Sequence, residues 1–256
     1  MKYKLLGKSG LRVSELCLGT MGFGEEWGFG ASWDESKKIF EAFAETGGNF
    51  IDTANKYTNG TSEKYVGELI ALQRDYFVLA TKYSLSMRED DPNAFGNHRK
   101  NLVQAVNASL KRLNTDYIDL LWLHAWDFMS PVDEVMRALD DLVKQGKVLY
   151  VGVSDTPAWV ISQANTMSEF RGWSPFIGMQ LEYSLIQRDI EREYMPMAKA
   201  MDIGVAAWGP LGGGVLTGKY TREKLESNSV DSLRTNANKS RVNDRNLKIA
   251  EEVQKI

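Results

Sequence analysis

The chain has 256 residues, 43% hydrophobic and 25% charged, with 22 Gly, 6 Pro and a formal net charge of −3. That profile suits one globular domain over residues 1–256, and its interspersed acids and bases exclude the basic stripe that would grip nucleic-acid phosphates or anionic lipid. No window of about 18 apolar residues could span a bilayer, and the N-terminus has no uninterrupted apolar run, so the expected location is the cytoplasm.

Leu5-Leu6-Gly7-Lys8-Ser9-Gly10-Leu11 reads as a small hairpin with a Gly-containing turn. Beyond it, apolar runs of strand length alternate with segments of helical period, the signature of parallel α/β architecture. The strand candidates are residues 15–18, 49–52, 77–81, 118–123, 148–153, 177–181 and 205–208. They are apolar throughout, as parallel strands covered on both faces should be. Cys17, the lone cysteine, lies between Leu16 and Leu18 and is expected to be a small buried hydrophobe.

Helix starts are signalled by Asp34 before Glu35-Ser36, by Thr61-Ser62-Glu63-Lys64 before Val66, and by Pro131-Val132-Asp133-Glu134 before Met136. Residues 97–113 form the longest predicted helix, with Leu102, Val106, Leu110 and Leu113 on one face and His98 as a surface residue at its start. Residues 221–239 are polar and apolar-poor, a surface loop that could act as a lid.

Repeated βα units either close into a barrel or spread into a doubly wound sheet. The second would carry G-x-G-x-x-G, and both Gly22-Phe23-Gly24-Glu25-Glu26-Trp27 and Gly212-Gly213-Gly214-Val215-Leu216-Thr217 fail at the last glycine. Gly213 to Lys219 mimics a P-loop, but Tyr220 replaces the hydroxyl residue that would hold magnesium. Two His and one Cys offer no metal-ligand cluster, so no metal is expected. The prediction is a (β/α)8 TIM barrel of parallel strands. The chain ends within the helix that follows its seventh strand, so the eighth βα unit is expected to be absent and the barrel incomplete.

In a barrel the reactive residues sit where strands end and βα loops begin. Asp52, Lys82 and His124 each follow an apolar strand, and Tyr57 lies in the loop after Asp52. An adjacent ammonium favours the phenolate and makes a phenol a better proton donor. Lys82 is therefore the expected tuner of Tyr57, Asp52 the group that keeps Lys82 charged and aimed, and His124 a hydrogen-bond partner for a carbonyl oxygen.

Phe50-Ile51-Asp52-Thr53-Ala54, then Tyr57, then Gly60-Thr61-Ser62-Glu63, is similar to the signature around the catalytic tyrosine of aldo-keto reductases. That resemblance covers nearly the whole chain and implies that Asp52, Tyr57, Lys82 and His124 are the family's tetrad, with Tyr57 as general acid in carbonyl reduction and base in alcohol oxidation. It also implies a small carbonyl substrate and NADP(H) as cofactor, with NAD(H) not excluded because no quoted residue reads the 2′-phosphate.

Further family segments resemble Gly152-Val153-Ser154-Asp155, Gln180 and the run from Trp208 to Lys219. By that likeness Ser154, Asp155 and Gln180 bind the carboxamide and Trp208 stacks on the nicotinamide. Gly209, Pro210, Leu211, Gly212, Gly213 and Lys219 face the pyrophosphate, and Thr20 and Met21 complete the cofactor site. Asp155 departs from the family's asparagine: a carboxylate accepts from the amide NH2 but cannot donate to its carbonyl. Trp27, Trp126 and Phe128 are the expected walls of a substrate pocket suited to aromatic or apolar carbonyls. The alternative is a cofactor-binding regulatory subunit resembling potassium channel beta subunits, which carry asparagine where this chain has His124. Oligomeric state cannot be read from the sequence.

Overall fold

The computed structural model describes residues 1–221 and 239–256. Residues 222–238, nearly all of the segment read as a lid, lie outside the described residues. The expected hairpin forms from β1 (Tyr3–Leu5) and β2 (Arg12–Ser14), which pair antiparallel. Gly7 makes its turn possible: it sits at φ +53, and a Cβ there would lie 2.1 Å from the Ile177 carbonyl oxygen.

Strands and helices then alternate as β3 (Cys17–Gly19), α1 (Trp33–Glu45), β4 (Phe50–Asp52), α2 (Thr61–Ile70), β5 (Val78–Tyr83), α3 (Arg99–Leu113), β6 (Ile118–Leu123) and α4 (Val132–Lys144). The alternation continues through β7 (Val148–Ser154), α5 (Ala158–Arg171), β8 (Phe176–Glu182), α6 (Tyr194–Met201), β9 (Gly204–Trp208) and α7 (Asp244–Val253). β3 to β9 form one 7-stranded sheet in unbroken chain order, and the registers from β3 to β7 are parallel. An unbroken order is that of a (β/α) barrel; a doubly wound sheet reverses direction at its middle. The fold class is therefore the barrel type.

The chain forms two compact units, one of Met1–Met179 with Met197–Val205 and another of Gln180–Pro196 with Ala206–Ile256. The second has its own apolar cluster of Ile186, Val215, Leu216, Tyr220, Leu247 and Ala250. Among the described residues no helix is long and apolar enough to cross a membrane, and no group of His, Cys, Asp and Glu gathers as metal ligands would.

Four local expectations need correction. Cys17 is exposed rather than buried, and Val205 on β9 is 37% exposed. β3 and β9 end the strand order, so among the described residues each is paired on one side only and the covered-strand rule does not reach them. His98 is no bystander: its Nδ1 accepts from the Asn101 N–H at 3.3 Å and caps α3, which begins at Arg99. The cap of α1 is Ser32, whose hydroxyl takes the Glu35 N–H while the Glu35 carboxylate takes the Ser32 N–H, rather than Asp34.

Trp122 of β6 fills the interior of the first unit. It is fully buried, and its ring lies over two glycines of the following strands, so that a Cβ on Gly152 would sit 2.4 Å from Cε3 and Cζ3, and one on Gly178 3.2 Å from Cη2. Gly152→Ala forces that indole to move within a packed core and is expected to cost about 1–3 kcal/mol, read as a lower urea midpoint with an unchanged slope.

Candidate active site

Register places the expected tetrad. Side chains alternate along a strand, and directly paired residues of parallel neighbours share a face. Asp52 is paired with Ala80, Lys82 with Trp122, and Trp122 with Gly152. Asp52, Lys82 and Trp122 therefore share one face, and His124 and Ser154 lie two residues beyond Trp122 and Gly152 in the chain. The opposite face of β5 meets the helices, for there the Thr81 hydroxyl donates to the Glu63 carboxylate of α2 at 2.6 Å.

The Lys82 ammonium is the hub. It donates to the Asp52 carboxylate, to the Thr53 carbonyl oxygen at 3.1 Å and to the Tyr57 hydroxyl at 3.0 Å. Three acceptors satisfy its three N–H bonds, which is what a lysine 1% exposed requires. Burial works against the charge, but Asp52 and the Tyr57 oxygen outweigh it and hold Lys82 above its ordinary pKa.

Tyr57 does not behave as expected of a phenol beside an ammonium. Burial pushes its pKa up and exceeds the downward pull of Lys82, with Asp52 and Asp155 adding to the rise. In the protein alone the hydroxyl keeps its proton at neutral pH, the state a general acid needs. His124 stands edge-on to the Tyr57 ring, centroids 5.9 Å apart. Trp27 also stands edge-on to that ring, at 6.4 Å.

Burial first, then the Lys82 charge, push the His124 imidazole down to about 3, so it is neutral at physiological pH. An unfolded chain takes up that proton near pH 6.5, whereas the folded one does so only near pH 3. Stability linked to His124 is therefore complete above pH 6.5 and is lost as pH falls toward 3. His124→Gln is expected to flatten this part of the acid dependence, measured as urea midpoints between pH 7 and 4.

The remaining predicted residues are placed as follows. Ser154 is buried at the end of β7. Asp155 has a left-handed φ of 35 and accepts the Trp126 N–H at 3.3 Å through its carbonyl oxygen. Thr20 is buried, with its hydroxyl bonded to the Asp52 carbonyl oxygen and Ser62, while Met21 is 40% exposed. Phe128 is 72% exposed at φ 57, and Trp126 is half-buried.

In the second unit Gln180 is buried on β8, and the Arg241 guanidinium lies 5.8 Å from the Trp208 ring while pairing with Glu182 at 2.8 Å. Gly209, Gly212, Gly213 and Gly214 all have positive φ, and Pro210 and Leu211 lie within that run. A Cβ on Gly214 would fall 2.9 Å from the Lys219 ammonium. A cation folded over bare left-handed backbone is a donor set suited to phosphate.

Sequence reasoning missed Trp122, Thr58 and Ser62. The signal for Trp122 was Gly152 and Gly178 on successive strands. The other two had no local signal, because their hydroxyls bond Phe23 and Thr20, 35 and 42 residues away.

The sequence profile of the aldo/keto reductase family matches residues 15–256. A norsolorinic acid reductase of Aspergillus flavus is 48% identical over 82% of this chain, which spans 57% of that relative. A putative aryl-alcohol dehydrogenase of Saccharomyces cerevisiae is 40% identical over 100% of the chain and 71% of its own length. An aryl-alcohol dehydrogenase [NADP(+)] of Phanerodontia chrysosporium is 39% identical over 95% and 69% respectively. A profile match running through all seven strands, with identities of this size across the whole chain, is decisive: the chain belongs to the aldo/keto reductase family.

Proposed function

We propose that this chain, as one domain, interconverts aldehydes or ketones and their alcohols with NADP(H), aromatic compounds being the favoured substrates. The observation that carries the reading is the 3.0 Å hydrogen bond from the Lys82 ammonium to the Tyr57 hydroxyl, with Asp52 on the same ammonium. The aromatic preference rests on Trp27 beside Tyr57, and NADP(H) on the relative whose name carries that cofactor.

When bound, NADPH supplies the hydride. Ser154, Asp155 and Gln180 would hold its carboxamide and Trp208 its nicotinamide ring; Gly209, Pro210, Leu211, Gly212, Gly213 and Lys219 would hold the pyrophosphate, with Thr20 and Met21 nearby. Tyr57 gives its proton to the carbonyl oxygen as that oxygen gains charge, and the ammonium 3.0 Å away stabilises the phenolate left behind. Asp52 keeps the ammonium charged. A neutral His124 retains one N–H to fix the carbonyl oxygen.

The test is direct. Adding the protein to NADPH should change nicotinamide fluorescence, and benzaldehyde should then drain the nicotinamide absorbance. Binding without turnover of any aldehyde, ketone or sugar would instead favour a cofactor-sensing subunit.

A further inference from the structure

Tyr57 opens a tight turn, Tyr57–Gly60, whose next residue is unusual. Thr58 has φ 44 and ψ 42, Asn59 has φ 54, and Gly60 has φ 96. Asparagine and glycine tolerate the left-handed region, but a β-branched residue rarely enters it and persists there only where its surroundings dictate it. Thr58 is 0% exposed. Its hydroxyl donates to the Phe23 carbonyl oxygen at 2.6 Å and accepts the Ser62 N–H at 3.0 Å. Gly24 lies so close that a Cβ on it would be 3.0 Å from the Thr58 Cβ and Oγ1.

The tie continues inward. The Ser62 hydroxyl, also 0% exposed, donates to the Thr20 carbonyl oxygen at 2.8 Å and lies 2.8 Å from the hydroxyls of both Thr20 and Thr53. The Thr20 hydroxyl in turn donates to the Asp52 carbonyl oxygen at 3.0 Å, and the Thr53 carbonyl oxygen accepts from Lys82 at 3.1 Å. Buried hydroxyls thus join the turn that carries Tyr57 to the backbone beside Asp52 and Lys82.

We propose that Thr58 is a positioning residue, whose hydroxyl bonds to Phe23 and Ser62 hold the turn left-handed and so keep the Tyr57 hydroxyl on the Lys82 ammonium. The inference rests on the reading of Tyr57 as the proton-transfer residue. Its consequence is specific: a turn that slackens at unchanged packing draws the phenol off Lys82 while it stays buried, so burial, Asp52 and Asp155 go on pushing its pKa up, the neutral His124 adds no charge, and the pull of Lys82 is lost. The phenolate then forms less readily. A mere loss of packing would reduce the folded fraction and leave that titration unchanged.

The experiment measures benzyl alcohol oxidation with NADP+ as a function of pH, in which Tyr57 must first lose its proton, together with thermal melts and NADPH binding. Thr58→Val keeps the shape of the side chain and deletes both hydrogen bonds. The expected result is a fall in kcat of about 10–100-fold, a move of the acid limb to higher pH, near-unchanged NADPH affinity, and recovery in Thr58→Ser. If Thr58→Val fails to fold, Thr58→Gly carries the test, since glycine accepts the left-handed turn without the bonds and should shift the limb the same way. A limb that stays in place or moves down, or a normal kcat, overturns the proposal. Tyr57→Phe separates the two levels: if it is inactive while Thr58→Val is normal, only the role of Thr58 fails, and if Tyr57→Phe is fully active, both readings fall.

Discussion

Tyr57→Phe is expected to lower benzaldehyde reduction by about 10²–10⁴-fold while leaving NADPH affinity nearly unchanged. Phenylalanine keeps the ring that stands edge-on to His124 and Trp27, so the shape of the site survives and only the hydroxyl is lost. In the proposed function that hydroxyl is the proton source; burial keeps it protonated, and an ammonium faces it at 3.0 Å where it can stabilise the conjugate base. Lys82→Met should cost turnover similarly but also stability, because it strands the Asp52 carboxylate, 7% exposed, without its ammonium. The comparison separates the two roles: a Tyr57→Phe variant that melts like the parent and fails to turn over assigns chemistry to the hydroxyl. Equal loss of cofactor binding and turnover would remove Tyr57 from that role.

The site was legible where chemistry and strand period coincide. Asp52, Lys82 and His124 follow apolar runs that do form strands, and parallel register sets Asp52 and Lys82 on one face. Residues 118–123 were read to the residue because Ile118 to Leu123 is apolar except at Asp119, which Arg74 neutralises at 2.6 Å. The sign of the Tyr57 shift was not legible. Charge pairs can be guessed from sequence, but the burial that outweighs Lys82 depends on tertiary packing. Cys17 failed for a related reason: local apolarity says nothing of whether a strand has neighbours on both sides. The hydroxyl chain through Thr58 and Ser62 was hidden because it joins Phe23, Thr20 and Thr53 across 35, 42 and 9 residues, and no local pattern encodes such separations.

Behind the site, Arg112→Met is expected to cost about 3–5 kcal/mol, far more than any surface ion pair. Glu63 of α2 is 0% exposed, and its carboxylate takes the Arg112 Nε of α3 at 2.6 Å and the Thr81 hydroxyl of β5 at 2.6 Å. Removing the guanidinium leaves a fully buried charge with one neutral donor, whereas its attraction in place was largely spent on desolvation. By contrast, Lys37 and Glu41 sit 3.8 Å apart with about half of each side chain exposed, and breaking that pair should change stability by under about 1 kcal/mol. A Glu63→Met, Arg112→Met double variant should regain most of the loss, since the buried charge goes with its partner. Urea midpoints of the parent, both single variants and the double variant at pH 7 measure this, and a double variant no more stable than Arg112→Met would show that the arginine's packing, rather than the uncompensated charge, sets the cost.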